Sequence, residues 1–185
     1  MNTPEPGSRR IAVISDTHMP KKGTALPRAC TAELHRADLI IHAGDLSDMG
    51  TLEMMRSIGP PVVAVHGNIE EPAVREALPG TAVIEVNGLR IGVVHNGGPA
   101  AGRLDRLRRR IPGTGLVVFG HSHVPLLQRA DDGFAILNPG SPTDRRRRPR
   151  HSMAVVEVTG DGRFEIAFLA VDEPAGPLDP ALVSS

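Results

Sequence analysis

Tyrosine and tryptophan are absent from this chain of 185 residues, and only Phe119, Phe134, Phe164 and Phe168 carry benzene rings. A protein so short of flat side chains is poorly equipped to stack on bases, which argues against a single-stranded nucleic-acid binder. The one cysteine, Cys30, cannot form an internal disulfide, and the reducing cytoplasm is the expected setting. No apolar run approaches the roughly 20 residues needed to cross a bilayer, and the first residues lack a signal-like stretch. No membrane is expected as a partner. Neither sign of charge dominates: 21 basic side chains oppose 21 acidic ones, so no global field attracts nucleic acid. Lysine is nearly missing, since only Lys21 and Lys22 occur, and arginine gathers at positions 106 and 108–110 and again at 145–148 and 150. A solvated face is the plain reading of these clusters; an anion-binding rim is the functional one, because guanidinium grips phosphate with two parallel hydrogen bonds.

What is present points to one domain over residues 11–171, with flexible tails at 1–10 and 172–185, where proline, glycine and charge mix without an apolar period. Short runs rich in isoleucine, valine and leucine recur at Ile11–Ser15, Leu39–His42, Val62–Val65, Val83–Val86, Ile91–Val94, Leu116–Phe119, Ala135–Leu137, Met153–Val158 and Phe164–Val171. They read as strands, several apolar on both faces. Helices are expected around Leu26–Ala37, after a cap at Ser47 or Asp48, over Glu70–Leu78 and over Gly102–Arg110. Alternation in the first half followed by a strand-rich last third predicts an α/β fold ending in an antiparallel region.

The chemistry lies just beyond the strands. Asp16 and His18 follow the first, Asp45 the second, Asn68 the third, His95 the Ile91 run, and His121 and His123 the Leu116 run. Strand ends are where α/β sheets place reactive groups, because a sheet fixes the base of each loop. Any one of these matches is weak. Two aspartates, four histidines and an asparagine at five strand ends are costly to collect for packing alone, and they predict one metal site. A carboxylate can bridge two cations about 3.5–4 Å apart, and Asp45 is the central choice. Imidazole mixed with oxygen ligands suits manganese, iron, nickel or zinc better than calcium, and manganese is the metal expected.

The ordered series DTH, GD, GN, a strand-end histidine and GHSH resembles the calcineurin-like metallophosphoesterase superfamily, in particular its small bacterial and archaeal phosphodiesterase branch related to Vps29. The resemblance implies a four-layer α/β/β/α sandwich with two mixed sheets. It also implies that Asp16, His18, Asp45 and His123 hold one divalent ion and Asp45, Asn68, His95 and His121 the other, with Asp45, Asn68, His95 and His121 carrying the catalytic roles. The implied reaction is hydrolysis of a small phosphate ester, most readily a phosphodiester, by a metal-bridged hydroxide. The alternative is a catalytically weak scaffold that binds a protein partner. A homo-oligomer stays open.

Two positions depart from the family pattern. Larger relatives carry a histidine after the metal-binding asparagine, where this chain has Ile69, as the small branch also lacks histidine there. A missing general acid forfeits about 10²–10⁴ in rate for a poor leaving group. Gly97 stands where the small branch often has a second histidine, and the expectation is a pocket open on that side. His66 is balanced between a phosphate contact and a plain strand end, His42 reads as an internal structural residue, His35 as surface, and His151 as a weakly supported substrate contact. Asn138-Pro139-Gly140-Ser141 reads as a turn shaping the site.

Overall fold

The computed structural model describes residues 7–184. In chain order the elements are β1 (Arg9–Ile14), α1 (Arg28–His35), β2 (Leu39–His42), α2 (Met49–Ser57), β3 (Val62–Ala64), α3 (Pro72–Ala77), β4 (Thr81–Val86), β5 (Leu89–Val94), α4 (Arg103–Arg110), β6 (Leu116–Val118), β7 (Leu126–Arg129), β8 (Ala135–Asn138), β9 (Ser152–Val158), β10 (Phe164–Ala170) and β11 (Gly176–Pro177), followed by a short 3-10 turn at Pro180–Leu182. The first sheet runs β11-β10-β9-β1-β2-β3 and the second β4-β5-β6-β8-β7. Both are mixed. In the first, β1, β2 and β3 are parallel and the rest antiparallel; in the second, β5, β6 and β8 are parallel and the two edge strands antiparallel.

Strand alternation builds the layers, because successive side chains leave a sheet on opposite faces. Ile11 and Val13 of β1 join Ile91, Val93, Leu116 and Val118 in a core between the two sheets. Ala12 and Ile14 point the other way and pack with Cys30, Leu34, Leu52, Met55 and Val74 of the helices. Across the sandwich, Val94, Val117 and Ile136 meet Leu107 of α4 and the Phe119 ring. Helices, sheet, sheet and helix thus form four layers, and strands buried on both faces explain the unbroken apolar runs. The exposed edge strand β4 instead alternates, with Ala82, Ile84 and Val86 turned to the inter-sheet core and Thr81, Val83 and Glu85 outward.

Local signals set the helix limits. Asp48 caps α2 by accepting a hydrogen bond from the Thr51 N–H at 2.8 Å. Pro72 starts α3, so Glu70 falls outside the helix expected to include it and its carboxylate is used elsewhere. The segment after Val171, read from sequence as a flexible end, is tied down at two places. β11 pairs with β10, and the Ser184 N–H donates to Pro125 O while its carbonyl accepts from Leu127 N–H. The amino-terminal reading of a tail lies mostly outside the described residues, and Arg9 and Arg10 already belong to β1. Among the described residues no helix is long and apolar enough to cross a membrane.

Candidate metal centre

The carboxyl ends of β1, β2, β3, β5 and β6 open onto one place, and all seven expected ligand residues sit there. Their loops leave those strands through unusual backbone. Asp16, His18, Asp45, His121 and His123 all have positive φ, between 48° and 69°, a region that side chains other than glycine seldom enter. Such conformations cost about 1–3 kcal/mol each and gather at functional sites. Glycine supplies the remaining clearance: a Cβ on Gly67 would collide with the Asp45 carboxylate, and one on Gly44 would come within 2.7 Å of His95 Nδ1.

The ligand atoms fall into two groups, Asp16 with His18 and His123, and Asp45 with His95 and His121, each with its atoms within 4.8 Å of one another. Each group takes residues from both sheets. Asp45 stands between them: its Oδ1 lies 3.3 Å from His95 Nε2 and its Oδ2 3.5 Å from His18 Nε2. Asn68 Oδ1 completes the second group, 3.0 Å from His95 Nε2 and 2.9 Å from His121 Nδ1.

Hydrogen bonds on the far side of the rings show what the near side requires. His95 Nδ1 donates to Ala43 O at 2.8 Å, and His123 Nδ1 donates to Asp144 O. Those bonds assign the proton to Nδ1 in the neutral rings and leave each Nε2 lone pair facing inward. There His123 Nε2 meets Asp16 Oδ1 at 3.3 Å and His18 Nε2 at 3.2 Å, and His95 Nε2 meets two oxygens. Lone pairs aimed at lone pairs need a positive charge between them. The mixed nitrogen and oxygen donors fit a divalent transition ion in each group.

The electrostatics of the two groups make the same demand. Burial alone would raise the Asp45 carboxyl, yet the His95 hydrogen bond and charge, with the Asn68 N–H, hold it down at about 2. His95 is pushed down by burial and more than restored by Asp45 and Asp16, so its affinity for a proton rises. Burial lowers His18 and His121, and the positive neighbour His95 adds to the effect on His121. A proton and a metal therefore compete for the His95 lone pair.

Outer partners brace the ligands. Asp16 accepts from Ser15 Oγ at 2.6 Å and from the His121 N–H at 2.9 Å. Ser141 Oγ donates to Asp16 O at 2.8 Å and Thr143 Oγ1 to Thr17 O at 2.6 Å, while Asn138 Nδ2 donates to Gly120 O at 2.8 Å, so the Asn138–Ser141 turn does shape the site. Glu70 was not singled out from sequence. Only 5 % exposed, it accepts from the Asp45 N–H at 2.6 Å and the Leu46 N–H at 3.2 Å, and its buried Oε2 has no hydrogen-bond partner among the described residues. An acidic residue beside a helix start looks like an ordinary favourable charge, which hides such a role.

Other expectations sort out by contact. Gly97 does not open the pocket: it is buried, and a Cβ there would lie 2.8 Å from Phe119 Cδ2, so the missing side chain makes room for that ring. His66 places Nδ1 against its neighbour's carbonyl, Gly67 O at 3.1 Å, and its Nε2 beside Gly80. His42 is fully buried between Thr17 Oγ1 and the Gly44 N–H and stays neutral, its pKa lowered by burial to about 3. His35 is exposed. His151 pairs with Asp172 at 2.5 Å and anchors the carboxy-terminal segment.

Comparison with known proteins gives the same picture. Residues 10–161 match the calcineurin-like phosphoesterase superfamily domain. A probable metallophosphoesterase of Methanocaldococcus jannaschii is 33% identical over 171 residues, which cover 90% of this chain and 84% of the relative. Among solved structures, vacuolar protein sorting 29 of Cryptosporidium parvum superposes with a TM-score of 0.79 at 19% identity, covering 92% of this chain and 96% of that one. The zinc complex of Vps29 from Entamoeba histolytica gives 0.75 at 22% identity, covering 92% and 98%. At those identities the two structures speak for the fold alone.

Proposed function

Because the chain belongs to the calcineurin-like phosphoesterase superfamily, we propose that it is a binuclear metal-dependent phosphoesterase of the cytoplasm, acting most readily on phosphodiesters with manganese bound. The observation that carries this reading is the inward convergence of imidazole and carboxylate lone pairs in two groups that share Asp45 as neighbour. Asp16, His18, Asp45 and His123 would hold one ion, and Asp45, Asn68, His95 and His121 the other. When bound, two such ions supply Lewis acidity to a phosphoryl group and lower the pKa of water.

The protein's own part is to orient. The Ala43 and Asp144 carbonyls fix the rings of His95 and His123, and backbone N–H groups of Asn68 and His121 hold Asp45 and Asp16. His121 and Asn68 stand at the solvent side of the site, where an ester approaches. No acid follows Asn68: Ile69 is half-buried, gives its N–H to Asp45 Oδ1 at 3.3 Å and has no proton to transfer. Aryl esters, whose leaving groups depart without help, should react much faster than alkyl esters.

The test is hydrolysis of bis-p-nitrophenyl phosphate with added manganese, beside metal analysis of the loaded protein. About two ions per chain and a rate abolished in Asp45→Asn and His121→Ala support the enzyme. A background rate shared by wild type and both variants would replace it with a phosphoesterase-like scaffold that binds a protein partner.

A further inference from the structure

Two buried histidines approach one peptide group from opposite ends. His95 Nδ1 donates to the carbonyl of Ala43 at 2.8 Å, and the N–H at the other end of that same Ala43–Gly44 peptide donates to His42 Nδ1 at 3.2 Å. A peptide is planar, so its carbonyl and its N–H turn together. Whatever fixes the N–H therefore fixes the carbonyl, and with it the ring of His95. Gly44 has no side chain to steady that plane: its φ is 92°, and a Cβ there would meet His95.

The second nitrogen of His42 serves the neighbouring loop. An Nδ1 that accepts from an N–H leaves the proton of the neutral ring on Nε2, which donates to Thr17 Oγ1 at 3.2 Å. Thr17 stands between Asp16 and His18, and its hydroxyl passes its own proton toward Asp45 O at 3.5 Å. The backbone ties the same two loops, with Asp16 N–H donating to Gly44 O and His18 N–H to Asp45 O, both at 2.9 Å. His42 and Thr17 are both fully buried, and neither nitrogen of the His42 ring bonds a ligand side chain among the described residues. A leucine could fill the same space, but it could not make two directed bonds.

We propose that His42 is a positioning residue of the metal centre, its Nδ1 setting the Ala43–Gly44 peptide that aims His95 and its Nε2 setting the loop that carries Asp16 and His18. The inference rests on the metal-dependent phosphoesterase reading. Through one ring the end of β2 reaches ligands of both groups. Hydrogen bonds in series also polarise one another: a peptide whose N–H is engaged accepts more strongly at its carbonyl, and the His95 ring, donating to that carbonyl, offers a more basic Nε2.

The experiment titrates manganese into chelator-stripped protein by calorimetry, well below the melting temperature, so that lost fold and lost affinity are read apart. In His42→Leu the affinity is expected to fall about 10- to 100-fold, as when a group behind a ligand is removed. His42→Asn, whose side-chain oxygen reaches the place of Nδ1, should recover most of that loss. Thr17→Val, alike in shape but without the hydroxyl, should bind manganese about tenfold more weakly, and Thr17→Ser should restore it. A His42→Leu protein that melts earlier yet binds manganese as wild type does overturns the proposal, since the ring then only packs. An equal loss in His42→Asn and His42→Leu overturns it too, and if His42→Leu does not fold, wild-type affinity in Thr17→Val does so. A wild type that shows the expected ranking yet hydrolyses no ester overturns the phosphoesterase reading alone, and one that binds no manganese overturns both.

Discussion

Asp45 has no freedom of its own: its carboxylate faces two imidazoles, its φ is 60°, and its N–H is held by Glu70. Removing the clamp in Glu70→Ala takes the acceptor from two buried N–H groups, a cost of about 1–3 kcal/mol for each left unmet. Manganese affinity should fall about 10- to 100-fold, as is usual when a group behind a ligand is lost. Glu70→Gln keeps an acceptor oxygen and should lie between, a ranking that calorimetry of manganese binding checks; equal affinity in Ala, Gln and wild type would deny Glu70 any hold on Asp45. The opposite strategy operates at Ile69, which touches Asp45 only through its backbone. Ile69→His should speed alkyl esters more than p-nitrophenyl esters, read as kcat/KM at matched metal occupancy, because only the former await a proton.

Among the elements, α4 shows how a helix can serve a loop. Arg106 gives its guanidinium to the carbonyls of Gly97, Pro99 and Ala101, so Arg106→Ala should cost about 1–2 kcal/mol and speed amide exchange across residues 96–101. Unchanged exchange there would mean the loop holds itself. None of this was legible in the sequence, since carbonyl acceptors carry no side-chain signature. Strands β1, β2, β5 and β6 were legible because burial on both faces demands unbroken apolar runs, whereas β7, reading Leu-Leu-Gln-Arg, carries no period to find. β11 is a Gly-Pro pair whose pairing with β10 comes from where the chain passes, not from propensity. The seven candidate ligands stood out for a different reason: scarce residue types repeated at glycine-marked strand ends. Glu70 shares its type with many surface residues, and only its contacts single it out.

Over the whole molecule, the buried His42 gives stability a pH dependence of known sign. Its pKa is near 6.5 when unfolded and about 3 when folded, so between those values the unfolded chain binds the extra proton and stability rises with pH. The contribution is complete above about 6.5 and is lost as pH falls toward 3, at most about 5 kcal/mol across the window. Urea midpoints taken from pH 7 to pH 4 with chelator present should fall steadily, and His42→Gln should flatten that slope; an identical slope would place the acid sensitivity elsewhere. A larger coupling follows from the fact that each ligand group draws on both sheets. An ion seated in either group is a rivet through two leaves, resisting any slide of one across the other. Loading with manganese should therefore slow amide exchange in β2 and β6 together, although those strands never pair, and stripping the ions should release both at once.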